Sequence, residues 1–238
     1  MHSININLGE KSYPIYIASE GWKIFPQAIN GRVKGTKILV ISDGNTYRHY
    51  YHLVENILIS MGFKVYSAVI TPGESSKNFQ YAQMLYSKAL EANLGRESTI
   101  IALGGGVVGD LAGFVAATYM RGIGFIQLPT SLLAQVDSSI GGKVAINHPL
   151  AKNIIGAFYQ PSMVFINPNT LTTLPPRELA TGMAELIKHG FIADRNFIIW
   201  LEENLEALLA LDIDILSYAL FRSCSIKAGI VEKDEKET

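Results

Sequence analysis

The 238-residue sequence contains one cysteine, Cys224, and almost no net charge. A single cysteine excludes an intrachain disulfide framework and a four-cysteine zinc site. Lys and Arg total 20 against 21 Asp and Glu, which gives a formal net charge of −1. Because no global basic field exists to attract nucleic acid or an anionic membrane surface, we expect neither as a partner.

The sequence also lacks a long uninterrupted apolar run. Its most apolar window, residues 100–120, is broken by five glycines and contains Asp110, whereas a membrane-spanning helix needs about 20 apolar residues. The first 17 residues contain no basic stretch followed by an apolar one, so they do not resemble a signal peptide. These features predict a soluble, cytoplasmic protein.

Hydrophobic residues make up 48% of the chain, which is enough to bury a sizeable core and is untypical of disordered or fibrous proteins. Alternating polar and apolar residues predict a hairpin over residues 1–17. Further strands are predicted at 37–41, 63–69, 98–103, 125–128 and 163–166, with helices at 47–60 and 78–92. This alternation is typical of βαβ units and a parallel-rich sheet.

The pattern changes after Pro175 and Pro176. Only helical spacing follows, and it predicts helices at 179–192, 197–211 and 213–231. The fold class is therefore an α/β N-terminal domain, residues 1–175, followed by an all-α part that starts at residue 176 and runs to residue 238.

A glycine-rich segment follows the predicted strand that ends at Leu103. Residues 104–109 match G-x-G-x-x-G between a strand and a helix, where backbone N–H groups can approach a pyrophosphate. The usual acidic residue about 20 positions later is missing, and the motif lies unusually far into the chain. From these residues alone, a nucleotide site and a tightly packed glycine turn are equally supported.

Two further segments contain polar side chains at strand ends. Glu74 and Lys77 lie one helical turn apart, where they could hold a ribose hydroxyl and a phosphate; taken alone, the segment favours a helix N-terminus with Glu74 complementing the dipole. Residues 127–153 combine hydroxyls, paired glycines, lysines and an asparagine, and a plain loop does not account for that composition. This second segment predicts a site for an anionic, polyhydroxylated ligand.

Glu185, Lys188 and His189 share one face of a predicted helix. Glu185 and His189 could ligate zinc, although such a pair is more often a solvated face or a salt bridge, and one helix cannot supply three ligands. The other four histidines show no ligand spacing and are predicted to be surface or turn residues. The sequence contains neither H-E-x-x-H nor a nucleophile elbow.

Six motifs occur together in a fixed order: GGGVVGDLAG (104–113), QLPT (127–130), QVDSSIGGK (135–143), KNIIGAFYQP (152–161), LPPREL (174–179) and AELIK (184–188). The set resembles the 3-dehydroquinate synthase family of sugar phosphate cyclases over essentially the whole chain. That resemblance implies an NAD-binding α/β domain, a helical domain with catalytic zinc or cobalt, and an active site between them.

The implied activity is the shikimate-pathway conversion of 3-deoxy-arabino-heptulosonate 7-phosphate to 3-dehydroquinate and phosphate. It runs through NAD-dependent oxidation, phosphate elimination, reduction and intramolecular aldol closure. Arg121 resembles an arginine that reaches the neighbouring subunit's phosphate site, which implies a homodimer.

By the same resemblance, Glu185 is a metal ligand. The implied substrate contacts are Lys143, Lys152, Asn153, Lys188, Lys227 and Asp137. The implied NAD contacts are Asp43, Asn45, Glu74, Lys77, Gly105, Gly106, Val107, Val108, Gly109, Asp110, Thr130, Ser131, Lys143, Lys152, Thr170, Leu171, Thr172 and Thr173.

The sequence departs from the family pattern at three points. Ser131 replaces a threonine and keeps the hydroxyl, and His189 replaces a residue that is usually Tyr, which implies that His189 is not a family ligand. The family's two histidine ligands belong to a segment expected after Thr238, so this chain is expected to hold one ligand of three and to be inactive alone. Three alternatives stay open: a metal-dependent polyol dehydrogenase, a related sugar phosphate cyclase, and a fragment that only binds NAD.

Overall fold

The computed structural model describes residues 1–236. Its strands are β1 (His2–Ile6), β2 (Tyr13–Ile17), β3 (Lys37–Asp43), β4 (Lys64–Ile70), β5 (Thr99–Gly104), β6 (Gly124–Pro129), β7 (Lys143–His148), β8 (Ala151–Phe158) and β9 (Met163–Ile166). Its α-helices are α1 (Phe25–Ile29), α2 (Gly44–Thr46), α3 (His52–Ser60), α4 (Phe79–Glu91), α5 (Gly106–Thr118), α6 (Pro176–Ala193), α7 (Arg195–Glu203), α8 (Leu205–Leu209) and α9 (Ile213–Lys233).

Seven strands form one sheet in the order β1-β2-β9-β6-β5-β3-β4. All neighbours pair in parallel except β1 and β2, which form the predicted antiparallel hairpin. Every residue of β5 is buried, as expected for a parallel strand covered on both faces. The predicted α/β class with a parallel-rich sheet is therefore confirmed.

Helix α5 packs unusually close to its neighbours because of two glycines in its interior. A Cβ on Gly113 would lie 2.3 Å from the Val144 Cγ1, and one on Gly109 would lie 2.8 Å from the Gln127 Oε1. Larger residues would push α5 away from β6 and β7. The glycines are thus required by close packing, and they fix where the start of α5 lies.

The segment between β6 and β9 is more regular than the sequence predicts. A π-helical turn covers Ala134–Ser138, and β7 and β8 form a second, two-stranded antiparallel sheet. The hairpin packs on α5 through the buried Val144 and Ile146. The sequence of the hairpin does not show the alternation of apolar and polar residues that predicts strands, because β8 is exposed along most of its length.

The helices after residue 175 pack on the β1-β2 end of the sheet and share one apolar cluster with it. The single helix predicted at 197–211 is wrong, because the chain breaks at Asn204 between α7 and α8. The Asn204 Nδ2 donates to the Trp200 carbonyl oxygen over 2.8 Å, beside the backbone bond from the Asn204 N–H to the same oxygen. Leu211 adopts a left-handed φ of 59° after α8.

Residues 177–236 contain no strand, as predicted. The division into domains at residue 175 stays a prediction, and residues 237 and 238 of its second part lie outside the described residues. No helix within residues 1–236 combines the length and the apolar character needed to cross a membrane.

Candidate functional site

The glycine-rich loop joins the carboxyl end of β5 to the first turn of α5. Strand β5 returns beside β3 after the chain has passed through β4, so the loop lies where the order of strands reverses. Gly105 is the N-cap residue, and the first N–H groups of a helix have no partners within it. A Cβ on Gly106 would lie 2.9 Å from the Ser138 Oγ. The loop therefore combines close packing with an open helix N-terminus that suits an anion.

Lys77 lies beside this loop with only 4% of its surface exposed. Its Nζ forms an ion pair with Asp110 in α5 and donates to the Asn153 Oδ1 of the hairpin. Burial raises the pKa of the Asp110 carboxyl to about 6, although the positive charge of Lys77 acts in the opposite direction. Lys77 thus joins three segments at the site rather than serving as a solvated helix end.

Glu74 is exposed and accepts a hydrogen bond of 2.7 Å from the Asn147 Nδ2. Both residues line a cavity of about 830 Å³ between the start of α4 and the tip of the β7-β8 hairpin. Lys152 lines the same cavity. The structure therefore brings together Glu74, Lys77 and Lys152, three of the residues that the sequence nominates as cofactor contacts.

A second cavity, of about 550 Å³, lies beside the first and is lined by five of the six predicted substrate contacts. These residues are Asp137, Lys143, Asn153, Lys188 and Lys227. The Asp137 Oδ1 and the Lys227 Nζ are 2.8 Å apart. Lysines outnumber acids in this set, so the cavity walls suit a ligand with a negative charge.

One group of side chains at this cavity has the composition of a metal site. Asp137, Glu185 and His189 each offer a ligand atom, and these three atoms lie within 4.8 Å of one another. Glu185 and His189 come from α6, where a spacing of four residues places them on one face, and Asp137 comes from the π-helical turn. The sequence spacing places Glu185 and His189 together, but it does not indicate that Asp137 approaches them.

The protonation state of His189 also suits a metal ligand. Burial lowers the pKa of its imidazole, which favours the neutral ring that a metal ligand requires. The Nδ1 is 2.7 Å from the Ser223 Oγ, and the Nε2 is 3.4 Å from the Glu185 Oε1. A ligating histidine usually forms a hydrogen bond through one ring nitrogen while the other nitrogen faces the metal.

The remaining predicted cofactor contacts lie at the ends of neighbouring strands and in one 3₁₀ segment. Asp43 caps α2 by accepting from the N–H groups of Asn45 and Thr46, so its carboxylate is already engaged in a structural role. The Thr46 Oγ1 is 3.4 Å from the Thr130 Oγ1, which joins the ends of β3 and β6. Ser131 follows, and Thr170–Thr173 fall in a 3₁₀ helix after β9.

Arg121 is the predicted residue that the structure does not bring to this place. It lies beyond the carboxyl end of α5, while the glycine loop is at the amino end of that helix. Met120 and Arg121 have left-handed φ values of 51° and 67°. Such a conformation is uncommon for residues other than glycine. Arg121 lines neither of the two cavities described above.

Among the residues that line the cavities, sequence reasoning did not nominate the polar side chains of Asn147 and Ser138. The Ser138 Oγ is buried without a hydrogen-bond partner among the described residues. Neither residue has a spacing or a chemistry that would single it out, because asparagine and serine are common in turns. Only the folded hairpin and the π-helical turn place them at the site.

The class of protein can now be stated from the fold and the cleft. The chain superimposes on 2-deoxy-scyllo-inosose synthase complexed with carbaglucose-6-phosphate, NAD+ and Co2+, with a TM-score of 0.86 and 24% identity over 100% of this chain and 64% of that chain. The 2-epi-5-epi-valiolone synthase of Streptomyces hygroscopicus subsp. jinggangensis, with NAD+ and Zn2+ bound, gives a TM-score of 0.87 and 23% identity over 96% and 63%. The fold is thus that of the sugar phosphate cyclases.

Sequence comparison narrows this class to one family. Residues 67–181 match the 3-dehydroquinate synthase N-terminal family, and residues 182–238 match the 3-dehydroquinate synthase C-terminal family. The chain is 52% identical to the 3-dehydroquinate synthases of Pelotomaculum thermopropionicum and Caldanaerobacter subterraneus subsp. tengcongensis, and it spans 64% and 67% of their lengths. The chain belongs to the 3-dehydroquinate synthase family.

Proposed function

We propose that the whole protein is a 3-dehydroquinate synthase, a carbon–oxygen lyase that forms 3-dehydroquinate and phosphate from 3-deoxy-arabino-heptulosonate 7-phosphate. The observation that carries the proposal is the convergence of Asp137, Lys143, Lys188 and Lys227 on one cavity beside the glycine loop. A dinucleotide at the loop would then adjoin a phosphorylated ligand in the cavity. This arrangement supports redox chemistry on a sugar phosphate.

The proposed cofactor is NAD, with its pyrophosphate at the N-terminus of α5. The open N–H groups of that turn and the absence of side chains at Gly105 and Gly106 support this placement. Lys77 supplies a positive charge close to the loop, and Glu74 supplies an exposed carboxylate that can accept from ribose hydroxyls. Thr130, Ser131 and the 3₁₀ segment Thr170–Thr173 would contribute further hydroxyls.

The proposed metal is Zn²⁺ or Co²⁺, and Glu185 is its first protein ligand. The donor set fits such an ion, because two further donors lie beside Glu185: Asp137 offers a carboxylate oxygen, and His189, which the family resemblance does not count among the ligands, offers an imidazole nitrogen. When bound, the ion supplies Lewis-acid stabilisation of an alkoxide at the substrate hydroxyl. In this chain the Ser223 hydroxyl orients the His189 ring, and Lys188 holds one Glu185 oxygen over 2.6 Å.

The lysines of the cavity are proposed to bind and orient the phosphorylated substrate. A phosphate buried among ammonium groups gains charge-assisted hydrogen bonds. Asp137 and Lys227, 2.8 Å apart, offer one acceptor and one cation at a fixed spacing. That pair can hold a substrate hydroxyl while Lys143 and Lys188 bind the phosphate or the carboxylate.

A metal-dependent polyol dehydrogenase is the alternative with different chemistry. Such an enzyme requires a glycine loop and a metal but no phosphate site, so it does not explain why Lys143, Lys188 and Lys227 converge on one cavity. A related sugar phosphate cyclase would use the same lysines with another substrate. Cytoplasmic localisation and a homodimer in which Arg121 serves the neighbouring subunit remain part of the proposal.

Substrate conversion by the purified whole protein with NAD and Co²⁺ tests the proposal. We expect stoichiometric release of inorganic phosphate from 3-deoxy-arabino-heptulosonate 7-phosphate, with no net NADH at the end. We expect Lys143→Ala to weaken substrate binding about 30-fold, because one charge-assisted hydrogen bond is lost. The surface variant Lys88→Ala is the matched control. Net NADH from a polyol without phosphate release would contradict the proposal, and phosphate release from a different sugar phosphate alone would point to a related cyclase.

A further inference from the structure

A closed ring of hydrogen bonds joins the turn before α4 to the β7-β8 hairpin. The Asn147 Nδ2 donates to the Glu74 Oε1 over 2.7 Å, and the Asn147 Oδ1 accepts from the backbone N–H of Asn153 over 2.9 Å. The Asn153 Oδ1 accepts from the Lys77 Nζ. The Lys77 carbonyl oxygen accepts from the Asn147 N–H over 2.7 Å. The two segments are therefore connected at three points, two of them through Asn147.

The amide side chain of Asn147 makes both side-chain bonds because it carries a donor and an acceptor on separate atoms. The Glu74 carboxylate is an acceptor, so its partner must donate, and the Asn153 N–H is a donor, so its partner must accept. Aspartate at position 147 would keep the acceptor, lose the donor and place a second negative charge beside Glu74. Alanine would lose both bonds.

The backbone at this place is irregular in two ways. Ile146 pairs with Ile155 and His148 pairs with Ala151, so the β7-β8 register shifts at Asn147. A register shift of this kind re-aims a side chain and is frequent beside functional sites. Across the hairpin, Asn153 has a left-handed φ of 57°. That conformation is sparsely populated and has to be held by its surroundings, here by the two bonds that Asn153 makes to Asn147 and Lys77.

We propose that Asn147 is a positioning residue that couples the two halves of the cleft. It holds Glu74 on the dinucleotide side of the cleft and Asn153 on the side of the phosphorylated ligand. The site of each ligand is therefore held in place partly by the segment that binds the other ligand. This inference rests on the proposed function, which assigns Glu74 to NAD and Asn153 to the substrate.

The test compares four variants in calorimetric titrations with NAD and with 3-deoxy-arabino-heptulosonate 7-phosphate, with a chelator present so that no turnover occurs. We expect Asn147→Asp to weaken NAD binding about tenfold and to leave the sugar phosphate affinity within about twofold of wild type. Asn147→Ala should weaken both ligands, each about tenfold. The control, His148→Ala, removes a hydrogen bond to Leu150 in the same hairpin but outside the ring, and it should bind both ligands as wild type does.

The pattern of losses distinguishes positioning from general damage. Equal losses in Asn147→Ala and His148→Ala would mean that the hairpin is simply disturbed, and wild-type affinities in both Asn147 variants would also overturn the inference. Circular dichroism confirms that each variant is folded, and Asn147→Gln, which restores the amide, should recover part of the NAD affinity. If the wild type binds neither ligand, the proposed function fails, and the coupling fails with it.

Discussion

All six residues of β5 are buried, whereas six of the eight residues of β8 are exposed, although both strands lead into the same cleft. Strand β5 is covered on both faces and positions the glycine loop through apolar packing. The β7-β8 hairpin has one packed face, on α5, and its outer residues are held by the hydrogen bonds of Asn147, Asn153 and Lys77.

This difference in burial between β5 and β8 indicates that the two sides of the cleft are held in place by different interactions. The dinucleotide side of the cleft depends on a rigid, buried sheet that gains its stability from apolar burial. The substrate side depends on a hairpin held by a few polar contacts, each of which contributes little free energy. Substitutions should therefore act on overall stability in the sheet and on ligand affinity in the hairpin.

The largest effect is expected from a cavity at the centre of the sheet. Ile101 of β5 is fully buried, so Ile101→Ala should lower the free energy of unfolding by about 3–4 kcal/mol in urea denaturation. The matched variant Val69→Ala, on edge strand β4 with 42% exposure, should cost less than half as much. Equal costs would mean that the central strands do not carry the stability.

The second largest effect is expected at the contact between α5, which packs on the sheet, and the β7-β8 hairpin. Gly113→Val forces a side chain against Val144 and the Phe125 ring, and it should destabilise the protein by about 2–3 kcal/mol through overpacking. It should also displace the hairpin and weaken sugar phosphate binding. Gly229→Ala in α9, where a new Cβ meets nothing within 4 Å, should instead stabilise by about 0.5–1 kcal/mol. Neutral behaviour of Gly113→Val would contradict the close contact between α5 and β7.

A pH-dependent effect is expected at the contact between Asp110 and Lys77. Burial raises the pKa of Asp110 from 3.8 to about 6, so the folded state binds more protons than the unfolded state between these values. The stability contributed by the neutral acid is therefore present below pH 4 and lost as the pH rises through 6. In Asp110→Asn this loss should be absent, so its free energy of unfolding relative to that of wild type should rise by about 1–2 kcal/mol between pH 4 and pH 7. Chemical denaturation at each pH measures this difference, and the exposed control Glu91→Gln should follow wild type throughout. If Asp110→Asn followed wild type as closely as the control does, the raised pKa of Asp110 would be refuted.

The smallest effect is expected on the outer face of the hairpin. Ile154 is 68% exposed in β8, and Ile154→Ala should change the free energy of unfolding by less than about 0.5 kcal/mol. The melting temperature should stay close to that of wild type. A loss comparable to that of Ile101→Ala would mean that the outer face of the hairpin contributes to stability as the core does, and the contrast between the buried sheet and the hairpin would fail.

The buried sheet was predictable from sequence because its strands are short apolar runs between polar turns. Residues 37–41 and 163–166 fall within or coincide with observed strands, since complete burial leaves a continuous hydrophobic signal. The hairpin was not predictable, because its exposed strand has no apolar alternation and its packed face is short. The break at Asn204 was missed for another reason, since the helical spacing continues through α7 and α8 and does not mark an interruption of one residue.

The candidate site was predictable residue by residue but not as an arrangement. Motif resemblance nominated Glu185, Lys143 and Asp137, yet nothing in the spacing indicates that Asp137 approaches Glu185 and His189. That proximity depends on the π-helical turn and on how α6 packs against it. Likewise, the proposed role of Asn147 depends on a register shift that no sequence pattern predicts.

Hydrogen–deuterium exchange with and without NAD tests most directly whether the glycine loop is the cofactor site. The account predicts that saturating NAD slows exchange at residues 104–110 and 74–77, with a smaller change in the hairpin at 147–153. Unchanged exchange in these segments under saturating NAD, or protection confined to the helices after residue 175, would contradict it.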